Sequence, residues 1–474
     1  MDTLANRGLM LHRIALAIAA AGCAAALVGC TSAPKPAPMK PIAQQPAALA
    51  PAVPAPAAAA PVETPRSRGL ELKVVAAPTA PTAMADAPVP KPAPPATPQA
   101  APPLPPLPSI MPFDEAIAFA AKNLFTNAKL PVSTLDKYPL VIDPLIDGNS
   151  GAESTATRTI ESRVTELLKT SYPKFELQPF ATNVLARGPL LFIGTFTAVD
   201  KDGKNAGPRD WFRVCLALVD LRSGLIISKG FARAATEGVD VTPTKFFQDS
   251  PAWAPDPAID GYVRTCQGTK AGDPINPAYY DKIITAALIN DAKVAYEAGR
   301  YEEALDLYRG VARTSAGDQL RVHNGAYLAS WKLGRKDDAM RSFARIVEHG
   351  LAQNRLAVKF LFRPGSTLFW ADPAVSEPYP MWLKQIAHRS KEAPKCIEVA
   401  GHTSRTGPEP LNDRLSMMRA QYVKQRLEAD VPLLVKRTSA VGKGSRENIS
   451  GLGTDDARDA VDRRVEFKVA ECVG

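Results

Sequence analysis

A long tract rich in proline and alanine sets the strongest limit on what this chain can fold into. It runs from residue 32 to residue 112 and holds about half of the 45 prolines in the 474-residue sequence. A segment of this composition does not form a packed core and favours extended polyproline conformations of about 3.1 Å per residue. We predict a disordered tether that reaches on the order of 200 Å. The alternative is a recognition sequence for a proline-binding domain.

The N-terminus has the features of an export signal. Arg7 and Arg13 precede the apolar segment IALAIAAAGCAAALVG, which is shorter than the ~20 residues of a membrane-spanning helix and fits a signal-peptide core. The segment leads into LVGC, which resembles a bacterial lipobox. The resemblance implies that residues 1–29 are removed and that Cys30 is lipid-modified. Because Thr31 follows instead of Asp, we expect an outer-membrane lipoprotein that faces the periplasm. In an ordinary secretory signal, the alternative, Cys30 would have no role.

Four cysteines lie beyond the anchor, and an even number in an exported chain favours two disulfides. Their order suggests pairing of Cys215 with Cys266 and of Cys396 with Cys472, although the sequence does not prove this connectivity. Because the chain has no close pair of cysteines and its histidines are scattered along the sequence, we expect no metal site.

The net charge of +9 favours partners that carry carboxylates, such as peptidoglycan stem peptides, or anionic lipid, although a solvated basic surface is the commoner cause. The export signal argues against nucleic acid as a partner. Motifs of common hydrolases, such as HExxH and GxSxG, are absent, as is a complete phosphate loop. We therefore expect neither enzymatic activity nor a cofactor.

Residues 113–280 are predicted to form an α+β domain. The stretch YPLVIDPLI reads as a buried strand, TATRTIESRVTELLKTS as an amphipathic helix with Ile160, Val164 and Leu167 on one face, and KFELQPF as a second strand. Three more strand-like runs follow, separated by turn signals. The pattern resembles the domain of curli-secretion lipoproteins and of lipoprotein activators of penicillin-binding proteins. In this region DKDGKN, residues 200–205, could be a calcium loop, but the expected glutamate is missing and we favour a hairpin turn.

Residues 281–350 contain two similar segments, AYEAGRYEEALDLYRGV and AYLASWKLGRKDDAMRSFARIV. Their alignment places Gly299 over Gly334 and Ala304 over Ala339, a period of 35 residues. This is close to the 34 residues of tetratricopeptide repeats, which the segments resemble. The resemblance implies short all-α hairpins whose exposed faces pack on neighbouring domains or bind a partner.

Residues 351–474 alternate strands and helices, which predicts a small α/β sandwich. In the second helix, Leu411, Leu415, Met418 and Tyr422 follow helical spacing and are expected to form the buried stripe. The residues Asn412, Ser416 and Arg419 form a polar row beside that stripe. The loop GHTSRTG delivers His402, Thr403 and Ser404 to the same end, where backbone amides and an arginine suit an anionic, amide-rich ligand.

These motifs are similar to the OmpA-like peptidoglycan-binding domain that is shared with the peptidoglycan-associated lipoprotein and with flagellar stator subunits. The residues that carry the similarity are Gly401, His402, Thr403, Gly407, Asn412, Leu415, Ser416, Arg419, Ala420, Arg463, Arg464 and Val465. The resemblance implies binding of a diaminopimelate-containing stem peptide, with Arg419 holding its carboxylate. The implied ligand-binding residues are Thr403, Ser404, Asn412, Arg419 and Arg463. His402 has the alternative role of fixing the loop, and Arg463 and Arg464 that of partly structural residues.

This sequence departs from the family pattern at several positions. Ser404 replaces the family aspartate that meets the ligand's ammonium group, Asp462 replaces an asparagine, and Leu361 and Arg363 stand where acidic residues are usual. Loss of a charged partner costs about 1.5–3 kcal/mol, a factor of roughly ten to a hundred or more in affinity. Because a serine oxygen still accepts a hydrogen bond from an ammonium group, we expect binding that is weaker or shifted in preference.

Two functions fit the predicted multidomain architecture. In the first, an outer-membrane lipoprotein tethers the envelope to peptidoglycan through residues 351–474, while residues 113–350 contact periplasmic proteins. In the alternative, the chain regulates a peptidoglycan synthase or a secretion assembly through residues 113–280, carried through the cell wall by its tether.

Overall fold

The computed structural model describes residues 109–132, 136–205, 209–252, 256–449, 453 and 457–472. The predicted signal peptide, the lipidation site Cys30 and nearly all of the tether lie outside these residues. Among the helices that are described, none is both long enough and apolar enough to cross a membrane.

The predicted α+β domain is built on one mixed sheet. Its strands, within the described ranges, are Ile110–Met111 (β1), Tyr138–Ile142 (β2), Ile146–Asp147 (β3), Phe175–Gln178 (β4), Leu190–Val199 (β5), Trp211–Asp220 (β6) and Leu225–Ala234 (β7). The order across the sheet is β1-β7-β6-β5-β2-β4, with β3 also paired to β5. Strands β5, β6 and β7 form antiparallel hairpins, whereas β1, β2, β3 and β4 join in parallel pairs.

Helices cover both faces of this sheet, and every residue of β5 is therefore buried. The helices of this part are Phe113–Thr126 (α1), Thr155–Ser171 (α2), Thr182–Leu185 (α3), Lys245–Asp249 (α4), Pro257–Gln267 (α5) and Pro277–Tyr280 (α6). On one face α1 and α2 pack on Phe192, and on the other α5 packs near Ile193. Helix α1 lies so close to β7 that a Cβ atom on Gly230 would stand 2.1 Å from the Ala120 carbonyl oxygen.

Helix α2 spans the residues that were predicted, and its start is set by a capping box. Ser154 and Thr157 each satisfy the backbone amide of the other at the first turn. Its fully buried stripe is Ile160, Val164 and Leu168, and Leu167 packs against the same core at its margin. Leu167 is only half-buried, because a four-residue step from Val164 stays on the core face.

The segment 200–205 is a hairpin turn between β5 and β6, as predicted. The Asp200 carboxylate accepts hydrogen bonds from the backbone amides of Asp202 and Lys204, at 2.9 and 2.7 Å. Gly203 has a φ of +80°, a conformation that glycine adopts without strain.

Two helical hairpins follow, formed by Ile283–Glu297 (α7), Tyr301–Ala312 (α8), Leu320–Lys332 (α9) and Lys336–Ala352 (α10). Gly299 and Gly334 end α7 and α9 with φ values of +78° and +71°. Ala304 and Ala339 are fully buried. The 35-residue period therefore has a structural basis in two equivalent hairpins, and their membership of the tetratricopeptide family stays a prediction.

The C-terminal part is an α/β sandwich with the strand order β10-β9-β11-β8. Its elements are Phe360–Leu361 (β8), Pro373–Ser376 (α11), Tyr379–Glu392 (α12), Lys395–Gly401 (β9), Glu409–Asp430 (α13), Thr438–Gly442 (β10) and Arg464–Glu471 (β11), with 3-10 turns at Pro432–Lys436 and Ala457–Asp462. The central strands β9 and β11 are antiparallel neighbours.

Both predicted disulfides are present. Cys396 and Cys472 lie on the neighbouring ends of β9 and β11, with Cα atoms 4.9 Å apart. Cys215 on β6 is bonded to Cys266 on α5, with Cα atoms 6.0 Å apart. The first bridge closes the ends of the central strand pair, and the second ties a helix to the sheet.

The prediction for the buried face of α13 is wrong. Leu411 and Met418 are about half exposed, at 56% and 47%. The polar row Asn412, Ser416 and Arg419 is buried instead, and its backbone and side chains meet the loops of the sandwich. A helix face can bury polar groups where hydrogen-bond partners satisfy them, and this is the case here.

The hairpins and the C-terminal sandwich share one hydrophobic core. The indole nitrogen of Trp382 on α12 donates to the Tyr327 hydroxyl of α9 at 3.0 Å, and Phe343 of α10 stacks on Trp382 with ring centroids 5.1 Å apart. On the other side, Lys293 of α7 forms a buried ion pair with Glu153, beside the start of α2. The three folded parts therefore pack on one another.

Candidate functional site

The loop at 401–407 leaves β9 and is held by the loop that follows β10. The Thr403 amide donates to the Gly444 carbonyl at 2.9 Å. The Asn448 side chain donates to the Thr403 carbonyl, also at 2.9 Å. The segment 443–449 thus holds the loop in place through these two hydrogen bonds. Nothing in the sequence indicated this role.

Close packing of α13 on β9 and β10 fixes the loop against the helix. A Cβ atom on Gly401 would stand 1.9 Å from the Ser416 carbonyl oxygen, and one on Gly442 would stand 2.7 Å from the Ser416 hydroxyl. This hydroxyl donates to the Asp413 carbonyl at 2.8 Å and accepts from the Gly444 amide at 3.0 Å. The two glycines are needed because the helix approaches the strands so closely.

Arg419 lies at the centre of the site and is fully buried. Its guanidinium donates to the carbonyl oxygens of Arg363, Ser366 and His402, each at 2.9 Å, and lies 5.2 Å from the centre of the Phe362 ring. The arginine therefore joins the loop after β8 to the loop after β9. These three bonds use the N–H of Nε, one N–H of Nη1 and one of Nη2, and the second N–H of each terminal nitrogen is the donor pair that a bidentate grip on a ligand carboxylate would use.

The residues predicted to bind a ligand lie in the loop 401–407 or close to it in the domain, and all of them are buried. Their exposed fractions are 2% for Thr403, 5% for Ser404, 5% for Asn412, 0% for Arg419 and 1% for Arg463. The part of the loop that faces solvent is 405–408, which brings the cation Arg405 to the surface. Sequence reasoning missed Arg405, although its position next to Ser404 in the loop was a usable signal.

Ser404 and Asn412 shape the loop from within. The Ser404 hydroxyl oxygen lies 3.1 Å from that of Thr406. The Asn412 amide nitrogen donates to the carbonyls of Thr406 and Gly407 at 3.1 and 3.4 Å. Among the residues that the structure describes, no hydrogen-bond partner is found for the Thr403 hydroxyl. A buried hydroxyl of this kind is a candidate contact for a polar ligand.

At the start of β11, Arg463 stacks over the Trp370 ring at 5.5 Å and its carbonyl accepts from the Phe362 amide at 3.0 Å. The preceding residue, Asp462, is buried and accepts from the Ile449 amide at 2.6 Å. The family asparagine at this position has an oxygen that can accept the same bond. The departure at 462 therefore preserves a structural contact.

An ion-pair network stands beneath the loop. His402 is fully buried, with Nε2 3.2 Å from the Glu466 carboxylate, which Arg464 also contacts at 3.0 Å. Burial, followed by the charge of Arg464, lowers the pKa of His402. Burial opposes ionisation of Glu466, but Arg464 and His402 outweigh it and hold the pKa of Glu466 well below its usual range. His402 thus fixes the loop from inside, which was its alternative role.

The histidines are scattered along the sequence, as noted, but two of them meet in space. His323 and His349 are 26 residues apart in sequence, yet their ring centroids lie 6.0 Å apart because α9 and α10 are antiparallel neighbours. Asp318 lies beside both rings. The spacing of the histidines along the chain did not predict this contact, since a helical hairpin brings residues that are distant in sequence together.

Residues 362–462 of the chain match a family that is described as the OmpA family. Outer membrane porin F from Pseudomonas fluorescens is 44% identical over 73 residues, which are 15% of this chain and 22% of that protein. Outer membrane protein Omp38 from Acinetobacter baumannii is 33% identical over 92 residues, which are 19% of this chain and 26% of that protein. The chain thus matches about a quarter of the length of these curated relatives.

Two solved structures are similar to about a quarter of the chain. The peptidoglycan-associated lipoprotein from Burkholderia pseudomallei has 26% identity and a TM-score of 0.20, with 24% of this chain and 89% of that chain covered. The cell wall anchor of the T6SS from Pseudomonas aeruginosa has 24% identity and a TM-score of 0.21, with 27% and 97% covered. On the family match, residues 362–462 of this chain are an OmpA family domain.

Proposed function

We propose that this protein is an outer-membrane lipoprotein that binds peptidoglycan non-covalently through its OmpA family domain. The observation that carries the proposal is the loop 401–407, which a buried Arg419 and Ser416 hold rigidly against α13 in a family-matched domain. The lipobox resemblance at Cys30 supports lipid anchoring, and the tether supports reach towards the wall. The chain acts by binding, without catalysis.

The ligand for this site is a stem peptide with a free carboxylate and a free ammonium group. The carboxylate would be met by Arg405, which the loop brings to the surface and whose guanidinium forms charge-assisted hydrogen bonds with anions. Ser404 offers the ammonium group a hydroxyl oxygen instead of a carboxylate. A neutral acceptor gives a weaker hydrogen bond to a cation than a charged one, so we expect moderate affinity.

The test is cosedimentation of the purified full chain with peptidoglycan sacculi. We compare the parent with Ser404→Asp, which restores the charge, and with Ser439→Asp, which adds the same charge at an exposed position on the edge strand β10. The proposal expects the parent to pellet and Ser404→Asp to bind more tightly by about tenfold, from about 1.4 kcal/mol. Ser439→Asp should match the parent. A parent that stays in the supernatant at all sacculus concentrations would sink the proposal.

A second candidate function places the action in residues 113–280, with regulation of a synthase or of a secretion assembly. The feature that favours it is an open cleft of about 680 Å³ beside the starts of β2 and β5. Glu176, Arg187, Asp220 and Arg222 line it together with Tyr138, so it offers charges of both signs to a protein partner. Reversing Arg187 and Arg222 to glutamate should leave sacculus binding intact. Under this function it should also abolish a cell-wall phenotype that deletion of the protein produces.

A further inference from the structure

Two histidines and an aspartate converge on the helical hairpins, far from the loop 401–407 in sequence. Asp318 precedes α9, His323 lies in the first turns of α9, and His349 lies near the end of α10. One carboxylate oxygen of Asp318 stands 2.7 Å from Nε2 of His323 and 3.7 Å from Nδ1 of His349. The three candidate ligand atoms all lie within 4.8 Å of one another.

The burial of these groups suits a site that is rigid on one side and open on the other. The side chains of His323 and His349 are 11% and 10% exposed, so packing of the two helices holds both rings. The Asp318 side chain is 70% exposed. A cation can therefore approach through the carboxylate, which is free to adjust its position.

We propose that Asp318, His323 and His349 bind a divalent transition-metal cation of the zinc class. Two imidazole nitrogens and one carboxylate oxygen form a donor set that zinc prefers, and a fourth position stays open to solvent. In a tetrahedral site with metal–ligand bonds of 2.0–2.1 Å, neighbouring ligand atoms stand roughly 3.3 Å apart. The separations of 2.7 and 3.7 Å lie on either side of this value.

A simple ion pair between Asp318 and His323 accounts for only part of this arrangement. The hydrogen bond from the His323 ring would by itself link the α8–α9 loop to α9. It gives no reason for Nδ1 of His349, on another helix, to face the same carboxylate oxygen. A shared cation explains why three donor atoms converge on one point.

A nearby arginine opposes cation binding. Arg345 lies one turn before His349 on α10, and its charge acts on both Asp318 and His323. Glu348 partly offsets this charge through an ion pair at 2.9 Å. The net effect is a weakened site, so removal of the Arg345 charge should strengthen binding of a cation.

The test is titration of the chelator-treated full chain with ZnCl2, followed by calorimetry and by competition with a chromogenic chelator. We expect one equivalent of Zn2+ to bind per chain. His349→Gln and Asp318→Asn should each weaken it by at least about tenfold. His388→Gln is the matched control, because His388 is exposed on α12 and does not belong to the cluster of Asp318, His323 and His349. Arg345→Gln should bind more tightly than the parent.

Thermal unfolding of each variant separates loss of a ligand from loss of the fold. Asp318→Asn is the safest variant, since its side chain is largely in solvent and leaves the core unchanged. Visible absorption of bound Co2+ should report nitrogen coordination in the parent and in His388→Gln and should be lost in His349→Gln. A parent that binds no Zn2+, or folded Asp318→Asn and His349→Gln proteins that bind it as tightly as the parent, would overturn the proposal.

Discussion

The guanidinium of Arg209, in the α+β domain, donates a hydrogen bond to the backbone carbonyl of Asn448, in the OmpA family domain. Asn448 in turn donates through its side chain to the carbonyl of Thr403. Two hydrogen bonds therefore connect the hairpin between β5 and β6 to the loop 401–407. The α+β domain is thus a structural support of the candidate binding site.

Arg209→Ala should weaken sacculus binding, because the loop 443–449 loses its external support. We expect a loss of about 1 kcal/mol, or roughly fivefold in affinity. The measurement is cosedimentation of the full chain over a range of sacculus concentrations. Lys201→Ala removes the same charge from an exposed position in the same hairpin and should bind like the parent. Equal binding by both variants would mean that the contact does not support the site.

Glu161 should make stability depend on pH. Burial, followed by the charge of Glu153, raises the pKa of Glu161 from 4.5 to about 7. The folded chain holds this proton more tightly than the unfolded chain, so the stabilisation is fully present below about pH 4.5 and is lost as the pH rises through 7.

Glu161→Gln keeps an oxygen that can accept the 2.6 Å hydrogen bond from the Leu145 amide but does not ionise. We expect it to melt with the parent near pH 4.5 and at a higher temperature than the parent at pH 8, measured by circular dichroism. Glu166→Gln, at a carboxylate 69% exposed on the same helix, is the control and should track the parent at both values. A variant less stable than the parent at pH 8 would contradict the assignment.

The buried pair of Glu153 and Lys293 should respond unequally to loss of its two partners. The two side chains are only 4% and 5% exposed. Glu153 has a second partner in Arg158 at 2.7 Å, whereas Glu153 is the partner that the structure shows for the Lys293 ammonium. Glu153→Gln therefore leaves a buried cation without its counter-charge, at a cost of about 3–5 kcal/mol.

Lys293→Met should cost less, because Arg158 still neutralises Glu153. Urea denaturation of the two variants beside the parent measures the difference. The same loss of unfolding free energy in both variants would show that Arg158 does not compensate.

The bridge between Cys396 and Cys472 closes a segment with a sequence separation of 76 residues, which includes the loop 401–407 and α13. Replacing both cysteines by serine should lower the free energy of unfolding of this part by about 2–4 kcal/mol. The comparison is the variant in which Cys215 and Cys266 are both replaced by serine, which removes a bridge with a sequence separation of 51. Sacculus binding should fall with the first pair at elevated temperature and persist with the second.

The sequence predicted features that depend on local pattern. The helix α2, the hairpin turn at 200–205 and the pairing of Cys396 with Cys472 follow from side-chain periodicity, turn residues, and the number and order of the cysteines. The loop 401–407 was found from its motif. These signals lie within short stretches, so a single sequence is enough to read them.

The features that were missed depend on contacts between distant residues. Leu411 and Met418 are apolar and regularly spaced, yet the polar row is buried because Arg419 and Ser416 find partners in loops from other strands. The meeting of His323 and His349 required the packing of two helices. The link from Arg209 to Asn448 required the packing of two domains. Local propensity contains none of this information.

The shared core of the hairpins and the sandwich has a mechanical consequence. Trp382 contacts Tyr327 and Phe343, and Lys293 pairs with Glu153 of the α+β domain, so these three parts contact one another directly through their described residues. If the OmpA family domain binds the cell wall as proposed, the cleft beside β2 and β5 would be held in a fixed orientation relative to the wall.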